Sequence, residues 1–279
     1  MEQSNKKISV IMAVYNCEQY LRESIDSILA QTYGNWEFII CNDASTDGTQ
    51  AILDEYKANY PDRFILVANE TNKRLAFSLN HCLQYATGDY IARMDGDDIA
   101  TPDRFEKEVL YLQEHPDCDL VGTAMQQFDE NGPIQIVSKP ENVDKFSMRT
   151  MVPFNHATIM TYRYVYEKCG GYTVAKRTNR AQDYDLWFRF FAEGFRGHNL
   201  PDALYLVRED MNAIKRRTFK VRWYAYQTTR IGFKLLGFPK RWLIKEFFVT
   251  LGKSLVPYRL LYWYRQRQGK KAAKKELQG

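Results

Sequence analysis

Ile8–Val14 (ISVIMAV) is a nearly unbroken apolar, β-branched run, the pattern expected of a parallel strand covered on both faces. After it, Leu21, Ile25, Ile28 and Leu29 recur at helical spacing. The alternation then repeats. Glu37–Cys41 (EFIIC) predicts a second strand, Thr49–Tyr60 a helix, Phe64–Ala68 a third strand, Ala76–Tyr85 a helix closing at Gly88, and Tyr90–Met94 a fourth strand. Strands alternating with helices predict an α/β fold, a Rossmann-like, mainly parallel central sheet flanked by helices. Right-handed crossovers in such a sheet bring the functional loops to the carboxyl ends of the strands. No G-x-G-x-x-G follows the first strand, which argues against a dinucleotide site. Between residues 118 and 205 short strand-like and helical stretches mix, and periodicity does not order them.

Composition adds a compartment and a charge map. The five cysteines (Cys17, Cys41, Cys82, Cys118, Cys169) are scattered and include no C-x-x-C pair, which disfavours a disulfide framework or zinc knuckle and fits a reducing compartment. The polar start, without a signal-peptide core, and the lack of any uncharged 18-residue apolar run predict a cytoplasmic protein with no spanning helix. The net charge of +5 hides an asymmetry. Of 39 basic and 34 acidic residues, 18 basic but only two acidic ones lie from Lys215 onward, leaving 21 and 32 before it. That is +16 against −11, an acidic body with a basic extension suited to an anionic partner.

Acidic residues gather where predicted strands end. The second strand runs into Asn42-Asp43-Ala44-Ser45-Thr46-Asp47-Gly48, and the fourth into Asp95-Gly96-Asp97-Asp98. Three carboxylates in four residues repel one another, and a divalent cation relieves that repulsion. Carboxylates one residue apart, on a turn loosened by Gly96, could face one hard ion, Mn²⁺ or Mg²⁺, whose shell phosphate oxygens complete. The plainer reading is a solvated turn in which Asp97 or Asp98 caps the helix after Thr101-Pro102.

The wider pattern separates the two. Ser9–Asn16, Ser27–Tyr33, Asp43–Thr49 and Ala86–Asp98, followed by Phe154–Met160, Gly170-Gly171-Tyr172 and Gln182–Arg189, closely resemble the family 2 glycosyltransferases of GT-A fold. The resemblance spans about residues 7–210, several motifs stand in the family's order, and the bacterial exopolysaccharide and capsule enzymes are the most similar in kind. It implies an inverting glycosyltransferase that moves a sugar from a nucleotide-sugar, expected to be a UDP-sugar, to a glycan or lipid-linked acceptor hydroxyl. Position by position, Ala13 and Tyr15 would pack around the base and Asp43 would accept its imide N–H. Arg74 would reach base or phosphates, and Asp95 the ribose or metal. Asp97, with His156, would hold the cation, and Arg208 would meet the diphosphate. Asp183 would be the general base. Where the family commonly has Glu-Asp, this chain has Gln182-Asp183, so the base is kept and a neighbouring charge is lost. Several of these residues also admit structural roles: Asp183 as a first-turn helix acid, His156 as a satisfied internal imidazole, and Arg208 as a partner of Glu209 or Asp210.

Residues 1–214 are thus expected to form the catalytic domain and 215–279 a helical basic-aromatic extension. Between Phe219 and Tyr264, Trp, Tyr and Phe interleave with Lys and Arg. Within Trp242–Leu255, Leu243, Phe247, Leu251 and Leu255 recur every four residues, as on a helix lying in a membrane interface. The alternative is a tail that packs its aromatics on the body, which best suits Lys215–Gly237. No nucleic-acid module is present, so an anionic membrane is the expected partner, at the inner face of the cell membrane and within reach of other polysaccharide-assembly proteins. The competing function is a membrane-tethered nucleotide-binding or regulatory protein on the same fold. A nucleotidyltransferase is disfavoured because Met12–Cys17 lacks a basic glycine-rich loop.

Overall fold

The computed structural model describes residues 5–209 and 219–255. The four apolar runs become parallel strands β1 (Ile8–Val14), β2 (Trp36–Asn42), β3 (Phe64–Ala68) and β4 (Tyr90–Met94), adjacent in the order β3-β2-β1-β4. Between them run helices α1 (Leu21–Leu29), α2 (Thr49–Asn59) and α3 (Leu75–Leu83). Two-residue alternation in β1 divides its side chains between two cores. Ile8, Val10 and Met12 face α1, α2 and α4 (Arg104–Glu114), meeting Leu21, Ile25, Leu53 and Phe105. Ile11 faces the opposite layer, with Leu79 and Cys82 of α3 and Leu186 of α6 (Gln182–Ala192). Both faces of the sheet are covered, which is why β1 and β2 read as continuous apolar runs and not as alternating ones.

The second half of the sheet is mixed. The strands β5 (Ile99–Ala100), β6 (Leu120–Asp129), β7 (Gly132–Val137), β8 (Asn142–Val143), β9 (Met160–Tyr162) and β10 (Gly197–Arg208) extend it beyond β4. Antiparallel β9 bridges β4 and β6, and β10 runs parallel to β6 with register breaks between Leu200 and Tyr205. The pairing of β10 with β5 returns Arg208 to the end of β4, where Asp97 and Asp98 stand.

Two glycines are set by space. A Cβ on Gly96 would lie 2.7 Å from Cγ1 of Val14, so Gly96 lets the acidic turn pack on β1 and does not loosen it, contrary to the expectation above. A Cβ on Gly232 would fall 2.1 Å from the ring of Phe188. Gly232 lies in α7 (Phe219–Leu235), so the backbone of the extension's first helix rests directly on the catalytic body. Phe233 adds a T-shaped contact with Phe188, at 6.0 Å between ring centroids. The following helix, α8 (Lys240–Leu255), begins on the body too: Trp242 covers the Arg149 guanidinium at 3.7 Å and meets Phe238 at 5.1 Å. Of the predicted stripe, the side chains of Leu243 and Phe247 lie among the described residues. Leu243 packs inward beside Trp242, while Ile244, Phe247 and Phe248 are the exposed members. The aromatics Tyr258, Tyr262, Trp263 and Tyr264 and the 214/215 boundary lie outside the described residues. Among the described residues no helix is long and apolar enough to cross a membrane.

Candidate active site

The carboxyl ends of β1, β2 and β4 meet as the parallel topology requires. Ala13 and Val14 pair in register with Cys41 and Asn42, and Asp43 N–H donates to the Val14 carbonyl at 2.9 Å. Tyr15 projects beside them, 48% exposed. The Asn16 amide oxygen accepts from the Thr46 N–H at 2.9 Å, tying the first loop to the second. Asp43 is buried. One of its oxygens accepts from Asn69 Nδ2 and from the Lys73 N–H, both at 2.7 Å, and the other from the Arg74 N–H at 2.8 Å. Asp43 thereby fixes the 69–74 loop and holds Arg74 at a φ of +72°, a backbone strain that surrounding structure must impose on a non-glycine. One oxygen of Asp43 keeps a lone pair for a further donor.

At the end of β4 the carboxylates are sorted by their partners. Arg93, fully enclosed within the strand, grips Asp95 with both guanidinium nitrogens at 2.5 and 2.6 Å. The Asp95 N–H donates to the Tyr205 hydroxyl at 3.0 Å. Asp98 is buried and accepts from the Arg208 N–H at 2.9 Å. Burial, and then the charges of Asp95 and Asp97, push its carboxyl up to about 8. Asp97 is exposed, and Asp95 partly so. The pKa of Asp97 is also raised, first because the groove walls strip water from the carboxyl and then because Asp95 is near. With Asp95 gripped by Arg93 and Asp98 buried, Asp97 is the carboxylate most open to a ligand, and one such carboxylate beside phosphate oxygens suits a hard divalent cation. Among the described residues no three His, Cys, Asp or Glu side chains are placed to hold a metal by themselves, so such an ion would take most of its shell from phosphate or water.

His156 stands apart from that turn in its contacts. Its Nε2 meets the Tyr172 hydroxyl at 2.8 Å, and its ring packs edge-on against Tyr172 and Trp187. Burial, then the Arg93 charge, holds it well below the ordinary imidazole pKa, so it is neutral and only Nδ1 is left for another partner. Arg208 is also committed. It stacks over Tyr20 at 4.1 Å and Phe128 at 4.5 Å, and donates to Glu23 at 2.6 Å and to the Asp97 carbonyl at 3.2 Å. It thus clamps the acidic turn to α1.

The first turn of α6 carries two acids with different surroundings. Asp185 accepts from Thr173 at 2.6 Å, from Arg189 at 3.1 Å and from Arg177. Arg189 also ties the carbonyls of Cys169 and Gly171. Asp183 has no side-chain hydrogen-bond partner among the described residues. Burial raises its pKa, opposed by the backbone N–H of Tyr184 and the charges of Arg93 and Lys139. Its neighbour Gln182 keeps a buried amide oxygen without a partner. Sequence reasoning missed Arg93, whose charge reaches Asp95, Asp97, His156 and Asp183. The signal was present: an arginine inside a buried strand, two residues before Asp95 and so on the same face.

A Rossmann-like sheet with an acidic turn at the end of β4, and an acid on α6 that feels the same Arg93 charge, is the setting of a GT-A fold. The sequence model "Glycosyl transferase family 2" matches residues 9–178, and the chain belongs to that family. It is 55% identical over 216 residues to EpsE of Bacillus subtilis, which is named as a glycosyltransferase; the match covers 77% of this chain and 78% of that one. It is 31% identical to the amylovoran biosynthesis glycosyltransferase AmsE of Erwinia amylovora, over 75% and 79% of the two chains. Among solved structures it is similar to residues 1–349 of S. aureus TarS in complex with UDP, with a TM-score of 0.65 at 20% identity, covering 81% of this chain and 65% of that one. The mannosyltransferase PcManGT of Pyrobaculum calidifontis, in complex with GDP-Man and Mn²⁺, has the same TM-score and identity over 94% and 80%.

Proposed function

We propose that this glycosyltransferase takes a sugar from a UDP-sugar and transfers it, with inversion, to the hydroxyl of a lipid-linked glycan in bacterial exopolysaccharide synthesis. The observation that carries the reading is the division of labour in α6: Asp185 is consumed by two arginines, while Asp183 has no side-chain partner among the described residues and is desolvated and raised in pKa. A carboxylate so placed suits the general base that takes the acceptor's proton, since raised basicity favours proton transfer near neutral pH. With the base on the side of the sugar away from the leaving group, attack inverts the anomeric centre.

On the donor side, Ala13, Tyr15 and the open lone pair of Asp43 serve the base, and Asp95 the ribose. Arg74 and Arg208 flank the diphosphate. Asp97 would hold the divalent cation, and the neutral Nδ1 of His156 is an added ligand candidate. When bound, that ion neutralises the charge that develops on the departing diphosphate. The UDP in the TarS complex and the Mn²⁺ in the PcManGT complex support this choice of donor and ion. The names of AmsE and of an O-antigen biosynthesis glycosyltransferase to which this chain is also similar support the pathway.

The exposed Ile244, Phe247 and Phe248, set in a basic extension, fit a peripheral position at the inner membrane face. The test is thermal stabilisation by a panel of nucleotide-sugars with and without Mn²⁺, followed by transfer assays with the best donor. A Mn²⁺-dependent rise with one UDP-sugar is expected. Stabilisation by no nucleotide-sugar would overturn the reading in favour of a regulatory protein on the same fold.

A further inference from the structure

Beside the first turn of α6 lies a cavity of about 320 Å³ whose charged lining residues are all cationic. Arg74, Lys176, Arg177, Arg180 and Lys220 line it, with Tyr224 as an aromatic side and no carboxylate among the lining residues. Of the five cations only Arg177 has a carboxylate partner among the described residues, Asp185. Convergent like charges are unfavourable without a counter-charge, so the cavity is built to receive an anion. Ala181, the residue before α6, also lines it, which adds the positive end of that helix to the field.

The location narrows the anion. Arg74 comes from the strained loop held by Asp43, on the donor side of the groove. Lys176, Arg177 and Arg180 come from the loop immediately before Asp183. Lys220 and Tyr224 belong to α7, the helix that seats the basic extension on the body and leads to the exposed apolar stripe of α8. An amphiphile whose chain lies along that extension would therefore present its anionic head to this cavity, with its sugar next to Asp183.

We propose that the cavity is an anion subsite for the phosphate or diphosphate that joins the acceptor glycan to its lipid carrier. The inference rests on the reading that Asp183 faces the acceptor, and it specifies that acceptor as a phosphate-linked amphiphile. Arg180, Lys176 and Lys220 supply exposed cationic donors to the oxyanions, and Arg177 is held in place by Asp185.

The test titrates the full chain, at physiological salt, with a short isoprenyl diphosphate and separately with inorganic pyrophosphate. It compares wild type, the triple variant Lys176→Gln/Arg180→Gln/Lys220→Gln, and a charge-matched triple, Lys107→Gln/Arg163→Gln/Arg196→Gln, on other surfaces. The isoprenyl diphosphate should bind wild type and the matched triple alike, and the cavity triple about tenfold or more weakly. Inorganic pyrophosphate should bind wild type less well than the isoprenyl compound. Equal weakening in both triples would overturn the proposal, because net charge alone would then explain binding, as would equal affinity for the two ligands. UDP binding with Mn²⁺, measured in parallel, should be the same in all three proteins. If it falls together with isoprenyl diphosphate binding in the cavity triple, the cavity belongs to the donor. If wild type binds no UDP, the functional reading fails while the isoprenyl diphosphate titration still decides the cavity.

Discussion

Arg93 and Asp95 form a two-pronged ion pair in which the arginine is wholly enclosed and the aspartate stands 31% open to the groove. The pair has an inner and an outer end. The inner end is anchored by the layer below: Arg104 donates to the Arg93 carbonyl at 3.1 Å and lies under the Tyr205 ring at 5.1 Å. The outer end sets the direction of a carboxylate in the donor groove. A charge is thus carried from the core to the site along one strand.

Replacing Arg93 with methionine should therefore have two effects. Stability to urea should fall by about 2 kcal/mol, less than the 3–5 kcal/mol seen when a fully buried pair is broken, because Asp95 can still be hydrated. Without the cation, repulsion among Asp95, Asp97 and Asp98 should grow and the metal-free turn should take up protons more readily. Arg93→Lys keeps the charge but loses the fork, so it should restore part of the stability and less of the donor affinity. A methionine variant as stable as wild type would show that the pair does not hold the strand end.

The two acids of α6 should separate chemistry from structure. Asp183→Asn should lower transfer by about 10²–10⁴-fold with little change in melting temperature or UDP affinity. Asp185→Asn should do the reverse in emphasis, lowering stability because Arg177 and Arg189 lose their shared partner. The pH profile carries a further check. A base must be ionised to act, so activity should fall as pH drops through the pKa of Asp183, and burial places that limb above the ordinary aspartate value. Normal transfer by Asp183→Asn would assign the proton to another group.

Asp97 is the carboxylate left open to the groove, and its loss should act on the loaded state. In Asp97→Ala, calorimetry should find no Mn²⁺-dependent UDP binding, and transfer should be abolished. With chelator present the variant should melt no lower than wild type, since one member of a repelling trio is gone. UDP affinity like that of wild type, with Mn²⁺ present, would remove Asp97 from the site.

A buried acid away from the site predicts a pH effect on the fold itself. Glu108 is fully enclosed against Arg104 at 3.2 Å, and burial outweighs the arginine to push its carboxyl up to about 7. The folded chain then holds this proton more tightly than the unfolded chain, whose glutamates titrate near pH 4.3. The contribution of Glu108 to stability is complete below that value and is lost as pH rises toward about 7. Glu108→Gln should flatten the decline of denaturation midpoint between pH 4.5 and 7, compared with wild type. An unchanged slope would mean that Glu108 is ionised throughout.

What could be read from the chain follows from how local each signal is. β1, β3 and β4 and helix α1 fall where their apolar spacing sets them, because each is a regular, unbroken element whose own residues carry the pattern. The strands β6, β9 and β10 were unreadable for the opposite reason. β10 breaks register between Leu200 and Tyr205, which blurs any two-residue period, and β9 is only Met160–Tyr162, too short to show one. At the site, Asp43, Asp95, Asp97 and Asp183 stood out by motif. That Asp43 staples the 69–74 loop, or that Arg208 leans on Glu23, depends on contacts no spacing encodes. On α8, spacing picked out Phe247, but that Leu243 packs beside Trp242, which meets Arg149, depends on a contact of the same kind.

The exposed apolar residues of α8 give the last prediction. Ile244, Phe247 and Phe248 lie at i, i+3 and i+4, all exposed, with Phe248 at 63%. Truncation before Pro239 would also strip Trp242 from Arg149, so lost vesicle binding after that cut could reflect damage to the body. The cleaner test is Ile244→Ser/Phe247→Ser/Phe248→Ser in the full chain. These side chains are exposed, so UDP binding and melting temperature should change little, although Phe247 gives up a ring contact with Tyr226 at 5.6 Å. Flotation with anionic liposomes should fall strongly, because apolar burial anchors what charge attracts. Raising salt should weaken wild-type flotation without abolishing it, and should leave almost none in the triple variant, where only screened charge is left. Equal recovery of both proteins at every salt concentration would mean that this stripe does not meet the membrane.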